Sequence, residues 1–81
     1  MKARITVTLK NGVLDPQGRA IAHALHSLGF GNVEDVRQGK LIEVKLKAAD
    51  EAKARTELDA MCRQLLANPV IENYEVEFVA G

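Results

Sequence analysis

From Lys2 to Lys10 the chain alternates: Ala3, Ile5, Val7 and Leu9 are apolar, and Lys2, Arg4, Thr6, Thr8 and Lys10 between them are polar. A period of two with one apolar face predicts a half-buried strand. Asn11-Gly12 breaks the pattern, and Asp15-Pro16 opens a helix. The aspartate side chain can accept backbone N–H groups as N-cap, and proline fits the first helical position, where no N–H is needed. Ile21, Leu25 and Leu28 follow at helical spacing, with Ala20 and Ala24 beside them. Gly29 supplies the left-handed residue that commonly ends a helix, so the first helix runs roughly from Pro16 to Leu28.

Asn32 to Lys47 reads as two strands. Val33 and Val36 belong to the first, and their spacing departs from alternation in the manner of a bulge. Ile42, Val44 and Leu46 form the apolar face of the second, opposite Glu43, Lys45 and Lys47. Gln38-Gly39 between them reads as a hairpin turn, with Arg37 and Lys40 at a protruding basic tip. Ala49 to Leu66 is a second amphipathic helix with Asp50 as N-cap and Leu58, Met61, Cys62 and Leu65 as its buried stripe. Asn68-Pro69 stops it, because the residue before proline is pushed out of the helical region. The last strand runs from about Ile71 to Val79, with Tyr74, Val76 and Phe78 on one face and Asn73, Glu75 and Glu77 on the other.

The order βαββαβ predicts an α+β, ferredoxin-like fold: a four-stranded antiparallel sheet with two helices on one face, as a single domain over residues 1–81. One sheet face is then uncovered, with Thr6, Thr8, Leu41, Lys45 and Glu75 on or near it. An 81-residue chain buries only about 60–65% of the surface its unfolded form exposes. The small core and the unpaired sheet edges predict a homodimer or higher homo-oligomer, joined through sheet faces or edge strands.

Charge narrows the partners. Lys plus Arg number 11 and Asp plus Glu number 11, for a net charge of zero. Nucleic acid and anionic membrane surfaces both demand clustered cations, and neither is an expected partner. Two Phe, one Tyr and no Trp leave no aromatic-rich strand for stacking RNA bases. Cys62 is the only cysteine, which rules out an intrachain disulfide and a cysteine metal cage. The chain begins directly in strand alternation rather than in an apolar leader, and no apolar run approaches the roughly 20 residues of a membrane span. A cytoplasmic location is expected.

Candidate chemistry is sparse. His23 and His26 share a helix face at i, i+3, but a metal site usually takes three or more protein ligands, and they read as surface histidines. Cys62 falls on an apolar stripe and reads as a buried structural thiol. Asp15, Glu34, Asp35 and Glu43 specify no acid–base pair. Asp15 also fills the helix terminus where an anion would bind. No catalytic and no metal-ligating residues are assigned. A free-standing small-ligand-binding regulatory domain and an acylphosphatase-type hydrolase share the predicted fold. The hydrolase would need an anion-cradling loop with a nearby arginine after the first strand, which Lys10-Asn11-Gly12-Val13 followed by Asp15 does not supply.

Three ordered segments carry a family resemblance. Thr8-Leu9-Lys10-Asn11-Gly12-Val13-Leu14-Asp15-Pro16-Gln17-Gly18 is the first. Leu28-Gly29-Phe30 with Val36-Arg37-Gln38-Gly39-Lys40 is the second. Leu65-Leu66-Ala67-Asn68-Pro69-Val70-Ile71-Glu72-Asn73-Tyr74 is the third. In order and length the chain resembles the small subunit (PurS) of phosphoribosylformylglycinamidine synthase. The resemblance implies a part in purine synthesis, in the ATP- and glutamine-dependent conversion of formylglycinamide ribonucleotide to the amidine. It implies two partners: a glutaminase subunit (PurQ) that releases ammonia and a synthetase subunit (PurL) that uses ATP and Mg. It also implies a non-catalytic chain that binds no cofactor itself, bridges the two and aids ammonia transfer. The expected contact residues lie in the matched segments: Arg37, Lys40 and Glu72 foremost, with Asp15, Gln17, Asn68 and Tyr74.

Overall fold

The computed structural model describes residues 1–47 and 50–79; the expected helix start at Ala49 lies outside them. Strands β1 (Lys2–Leu9), β2 (Lys40–Lys45) and β3 (Glu72–Val79) form one antiparallel sheet in the order β2-β1-β3. The helices are α1 (Pro16–Ser27) and α2 (Glu51–Met61). Among the described residues, no helix is long and apolar enough to cross a membrane.

The alternation of β1 sets the layers. Ile5 lies between Ile42 of β2 and Val76 of β3, and Ala3 between Val44 and Phe78. Ala3, Ile5 and Val7 are fully buried beneath Leu58 and Cys62 of the second helical segment. Thr6, opposite Leu41 and Glu75, faces the open side of the sheet. There Lys2 and Arg4 approach Glu43 at 2.7 and 3.9 Å.

The fold is α+β, but the described residues form three strands rather than the four of the ferredoxin-like expectation, and α1 does not join α2 over the sheet. Residues 33–39 form no strand. Their side chains do not alternate. Asp35 turns its carboxylate onto the N–H of Val36 at 2.9 Å, and the segment runs beside α1 instead of pairing with β2. His26 Nε2 contacts the Val33 carbonyl at 2.7 Å. Gly18 is buried against the same segment, where an added Cβ would meet the Val36 carbonyl oxygen at 2.2 Å. The supposed hairpin at Gln38-Gly39 is a crossing: Gly39 comes so close to β1 that a Cβ would meet the Val7 carbonyl oxygen at 2.7 Å.

Helix caps follow the sequence. Asp15 accepts the Gly18 N–H at 2.9 Å and Asp50 accepts the Ala52 N–H at 3.0 Å. At the far end of α1, Gly29 adopts φ +102°. Its N–H donates to the His26 carbonyl and that of Phe30 to the Leu25 carbonyl, a Schellman closure that needs a left-handed residue.

The second helix changes pitch near its end. Cys62–Leu66 forms a π-helical turn in which the Ala67 N–H donates to the Cys62 carbonyl at 2.9 Å. The wider turn takes in one more residue than an α-turn. Leu65, expected on the buried stripe, is therefore rotated outward and is 83% exposed, while Leu66 packs against the core.

Candidate functional site

Parts of all three matched segments, distant in sequence, converge at one end of the sheet, while Leu28-Gly29-Phe30 of the second lies away from it at the far end of α1. β1 leaves there, β2 enters there, and β3 begins there, with Leu9 opposite Glu72 and Val7 opposite Lys40. The Lys10 N–H donates to the Ile71 carbonyl at 2.8 Å, which joins the first segment to the third.

Arg37 and Asp15 build one knot. The Arg37 guanidinium donates to Asn11 Oδ1 at 3.0 Å and to the carbonyls of Leu9 and Lys10. One oxygen of Asp15 caps α1 through Gly18, and the other accepts the Gln38 N–H at 2.9 Å. These two N–H groups, Gln38 first, and the nearby Arg37 charge hold the Asp15 carboxyl below its ordinary value. A carboxylate that accepts several donors prefers to stay ionised. Gln17 sits exposed on the first turn of α1.

Glu72 organises the second knot. It accepts the Asn68 N–H at 2.7 Å, and its other oxygen lies 3.6 Å from Lys40 Nζ. Asn68 in turn accepts the Val70 N–H through its side chain at 3.1 Å and the Glu72 N–H through its carbonyl at 2.8 Å. Pro69 needs no N–H partner, so the whole helix-to-strand turn is satisfied internally.

Tyr74 leads away from this end. Its hydroxyl donates to Asp59 of α2, which is also held by Arg63 at 2.8 Å. The hydrogen bond to Asp59, followed by burial, pushes the Tyr74 hydroxyl above its ordinary value. The Cys62 thiol, fully buried, is pushed up by burial and then by the Asp59 charge. A thiol held protonated is a poor nucleophile.

Six of the seven expected contact residues thus have structural partners: Arg37, Asp15, Glu72, Asn68, Tyr74 and, through Glu72, Lys40. Lys40, with a 60% exposed side chain, and Gln17 face solvent. The Asp59–Arg63 pair was visible as an i, i+4 spacing, but its meeting with Tyr74 is purely tertiary. Sequence reading also missed the exposed aliphatic surface beside these knots, formed by Leu65 and by Val70, which is 80% exposed. A groove of about 480 Å³ runs past Lys10, Pro69, Glu72 and Tyr74. Polar side chains committed to backbone, with aliphatic ones facing out, make a surface of fixed shape rather than a reaction centre. Among the described residues no three His, Cys, Asp or Glu side chains gather as metal ligands.

Comparison with known proteins is consistent across the chain. The family model described as PurS, phosphoribosylformylglycinamidine (FGAM) synthase, matches residues 2–80. The PurS subunit of phosphoribosylformylglycinamidine synthase from Synechocystis is 56% identical over 77 residues, 95% of this chain and 77% of that one. The crystal structure of Methanocaldococcus jannaschii PurS, one of the subunits of formylglycinamide ribonucleotide amidotransferase in the purine biosynthetic pathway, is 46% identical. It superposes with a TM-score of 0.85 over 94% of this chain and 92% of that one. A chain in the structure of PurLQS from Thermotoga maritima is 35% identical, with a TM-score of 0.87 over 96% of this chain and 95% of that one.

Proposed function

The chain belongs to the PurS family, and on that premise we propose that it acts as a non-catalytic adaptor within its enzyme. It is the small subunit of phosphoribosylformylglycinamidine synthase, a ligase complex of purine biosynthesis, and its partners are PurL and PurQ. The adaptor role is carried by one observation: parts of all three family segments meet at one end of the sheet, where their polar groups are spent within the chain and aliphatic side chains face outward. Such an end offers a preformed shape for a partner, with little ordering cost on binding.

Nucleotide chemistry belongs to the partner. A phosphate would need free cations or an open helix terminus. In this chain the Arg37 guanidinium is committed to Leu9, Lys10 and Asn11, and Asp15 fills the start of α1. In this reading ATP and Mg are used on PurL, glutamine is hydrolysed on PurQ, and this subunit, one domain over residues 1–81 in the cytoplasm, joins the two so that ammonia passes between them. Lys40, Glu72 and Gln17 are the polar contacts of that surface, with Leu65 and Val70 as its aliphatic part.

Reconstitution tests this directly. PurL and PurQ are assayed with glutamine or with ammonium as nitrogen source, with and without this chain. The expected result is loss of glutamine-dependent synthesis when the chain is omitted, with ammonium-dependent synthesis retained. Glutamine-dependent synthesis at full rate in its absence would refute the role.

A further inference from the structure

The sheet end opposite the docking surface carries a different kind of patch. The length of β1 places Lys2 about 24 Å from Leu9. At that far end Lys2 stands directly opposite Lys45 of β2. Two like charges facing each other across antiparallel strands weaken the pairing. Lys47 follows beyond Leu46, and Lys45 and Lys47 are both exposed. Met1 and Leu46 carry the pairing one step further. The Met1 carbonyl accepts the Leu46 N–H at 2.9 Å, and the Met1 nitrogen donates to the Leu46 carbonyl at 3.2 Å. A recess of about 330 Å³ opens among Met1, Lys2, Lys45, Leu46 and Lys47, and Leu46 anchors it to the core.

The carboxylates near this corner are already engaged. Glu43 lies 2.7 Å from Lys2 and 3.9 Å from Arg4. Lys2 first, then Arg4 and Lys45, hold the Glu43 carboxyl below its ordinary value. Glu77 stands opposite Arg4. Among the described residues, Lys45 and Lys47 have no carboxylate within ion-pairing distance. A chain of net charge zero thus gathers a local excess of positive charge, because the strand register sets Lys2 beside Lys45.

An adaptor that joins two proteins needs two surfaces set apart, and the docking end supplies one. Resting on that adaptor reading, we propose that the lysine corner is the second: it takes an acidic segment of the partner subunit that is not seated at the docking end. Charge complementarity names the occupant. Lysine offers a point charge on a flexible stem rather than a rigid fork. That suits carboxylates spread along a protein surface better than a single phosphate gripped by several donors at once. Met1, 44% exposed, adds aliphatic contact between the charges. Incoming carboxylates also relieve the Lys2–Lys45 repulsion that the free chain bears.

Capture of each partner singly tests the corner. Immobilised whole chain is compared with Lys45→Glu combined with Lys47→Glu, and with the milder Lys45→Gln combined with Lys47→Gln. One partner should bind the Glu variant about tenfold more weakly at low salt, with a smaller loss for the Gln variant. Added salt should weaken that partner's capture by the parent chain and change it little in the Glu variant. The other partner should bind all three alike, and should instead be lost with Leu65→Asp combined with Val70→Asp. Equal loss of both partners from the lysine variants, no loss of either, or loss of the same partner from both ends would overturn the proposal. A second measurement needs no partner. In NMR spectra of the whole chain at low salt, a short oligoglutamate peptide should shift the amides of Lys45 and Lys47 before any at the docking end. First shifts elsewhere would overturn the proposal, as would inorganic phosphate giving the same shifts at the same concentration. Peptide shifts at the corner in a chain that failed to restore glutamine-dependent synthesis would refute the adaptor role and leave the corner as a surface for acidic peptide.

Discussion

Arg37 reaches back across 26 residues to donate to Asn11 Oδ1 at 3.0 Å. With its further bonds to the Leu9 and Lys10 carbonyls, this makes Arg37 an anchor of the β1–α1 loop. Arg37→Ala is expected to lower stability by about 1–2 kcal/mol, the scale of charge-assisted bonds at a solvated site. Arg37→Lys should recover less than half of that, since one ammonium does not span three acceptors set for a guanidinium. Urea unfolding at fixed protein concentration measures both.

Gly18 is the tightest contact between α1 and the 33–39 segment. Gly18→Ala places a methyl against the Val36 carbonyl oxygen and should cost about 1–3 kcal/mol, lowering the melting temperature by about 5–15 °C. An unchanged melting temperature would show that the 33–39 segment gives way freely. Ala22→Gly on the next turn of α1 clashes with nothing and gives the scale of helix propensity alone, about 1 kcal/mol, against which the Gly18→Ala loss is read.

Asp15 links stability to acid. Its carboxyl titrates below the ordinary 3.8 in the folded chain, so the folded state holds fewer protons than the unfolded one in that interval. The stability it contributes is complete above the unfolded value and is lost as pH falls through the folded value. Asp15→Asn, which keeps one acceptor for Gly18 and loses the second for Gln38, should be less stable than the parent at neutral pH. The difference should shrink steadily below about pH 4, as read from urea midpoints across pH.

Tyr74 is the chain's only tyrosine, so its ionisation is read directly by ultraviolet absorbance. The midpoint should lie above the ordinary 10.0, because the hydroxyl donates to Asp59. The folded state then keeps a proton that the unfolded state releases, and stability falls as pH rises past the unfolded value. Asp59→Asn should bring the midpoint down toward the ordinary value.

Lys40 separates folding from docking. Its side chain is 60% exposed, though that of Glu72 opposite is only 14% exposed, so Lys40→Gln, which removes the pair without placing a second carboxylate beside Glu72, should change stability by no more than about 1 kcal/mol. Capture of PurL and PurQ by the variant should fall severalfold. Loss of stability and capture in equal measure would make Lys40 a fold residue.

What the sequence disclosed follows from locality. The β1 alternation, both aspartate caps, Gly29 and the Asn68-Pro69 stop are decided within a few residues of chain, and each stands as expected. The fourth strand did not form because Val33 and Val36 are apolar without alternating, and Gly18 offers them a helix to lie against. Arg37 and Asp15 carried the family pattern, but no local rule tells a docking cation from one that binds three carbonyls of a distant loop. The inward Leu66 and outward Leu65 reversed because a single backbone bond changed the pitch. That bond, from Ala67 to Cys62, depends on tertiary packing rather than on propensity.

The π-helical turn at Cys62–Leu66 acts as a phase shift. Upstream of it the helix keeps time with the core, as Ala54, Leu58 and Cys62 show. Downstream the sequence runs one residue late, and a leucine that composition assigns to the interior is handed to the surface beside Pro69 and Val70. The aliphatic knob at the docking end is thus a product of backbone timing.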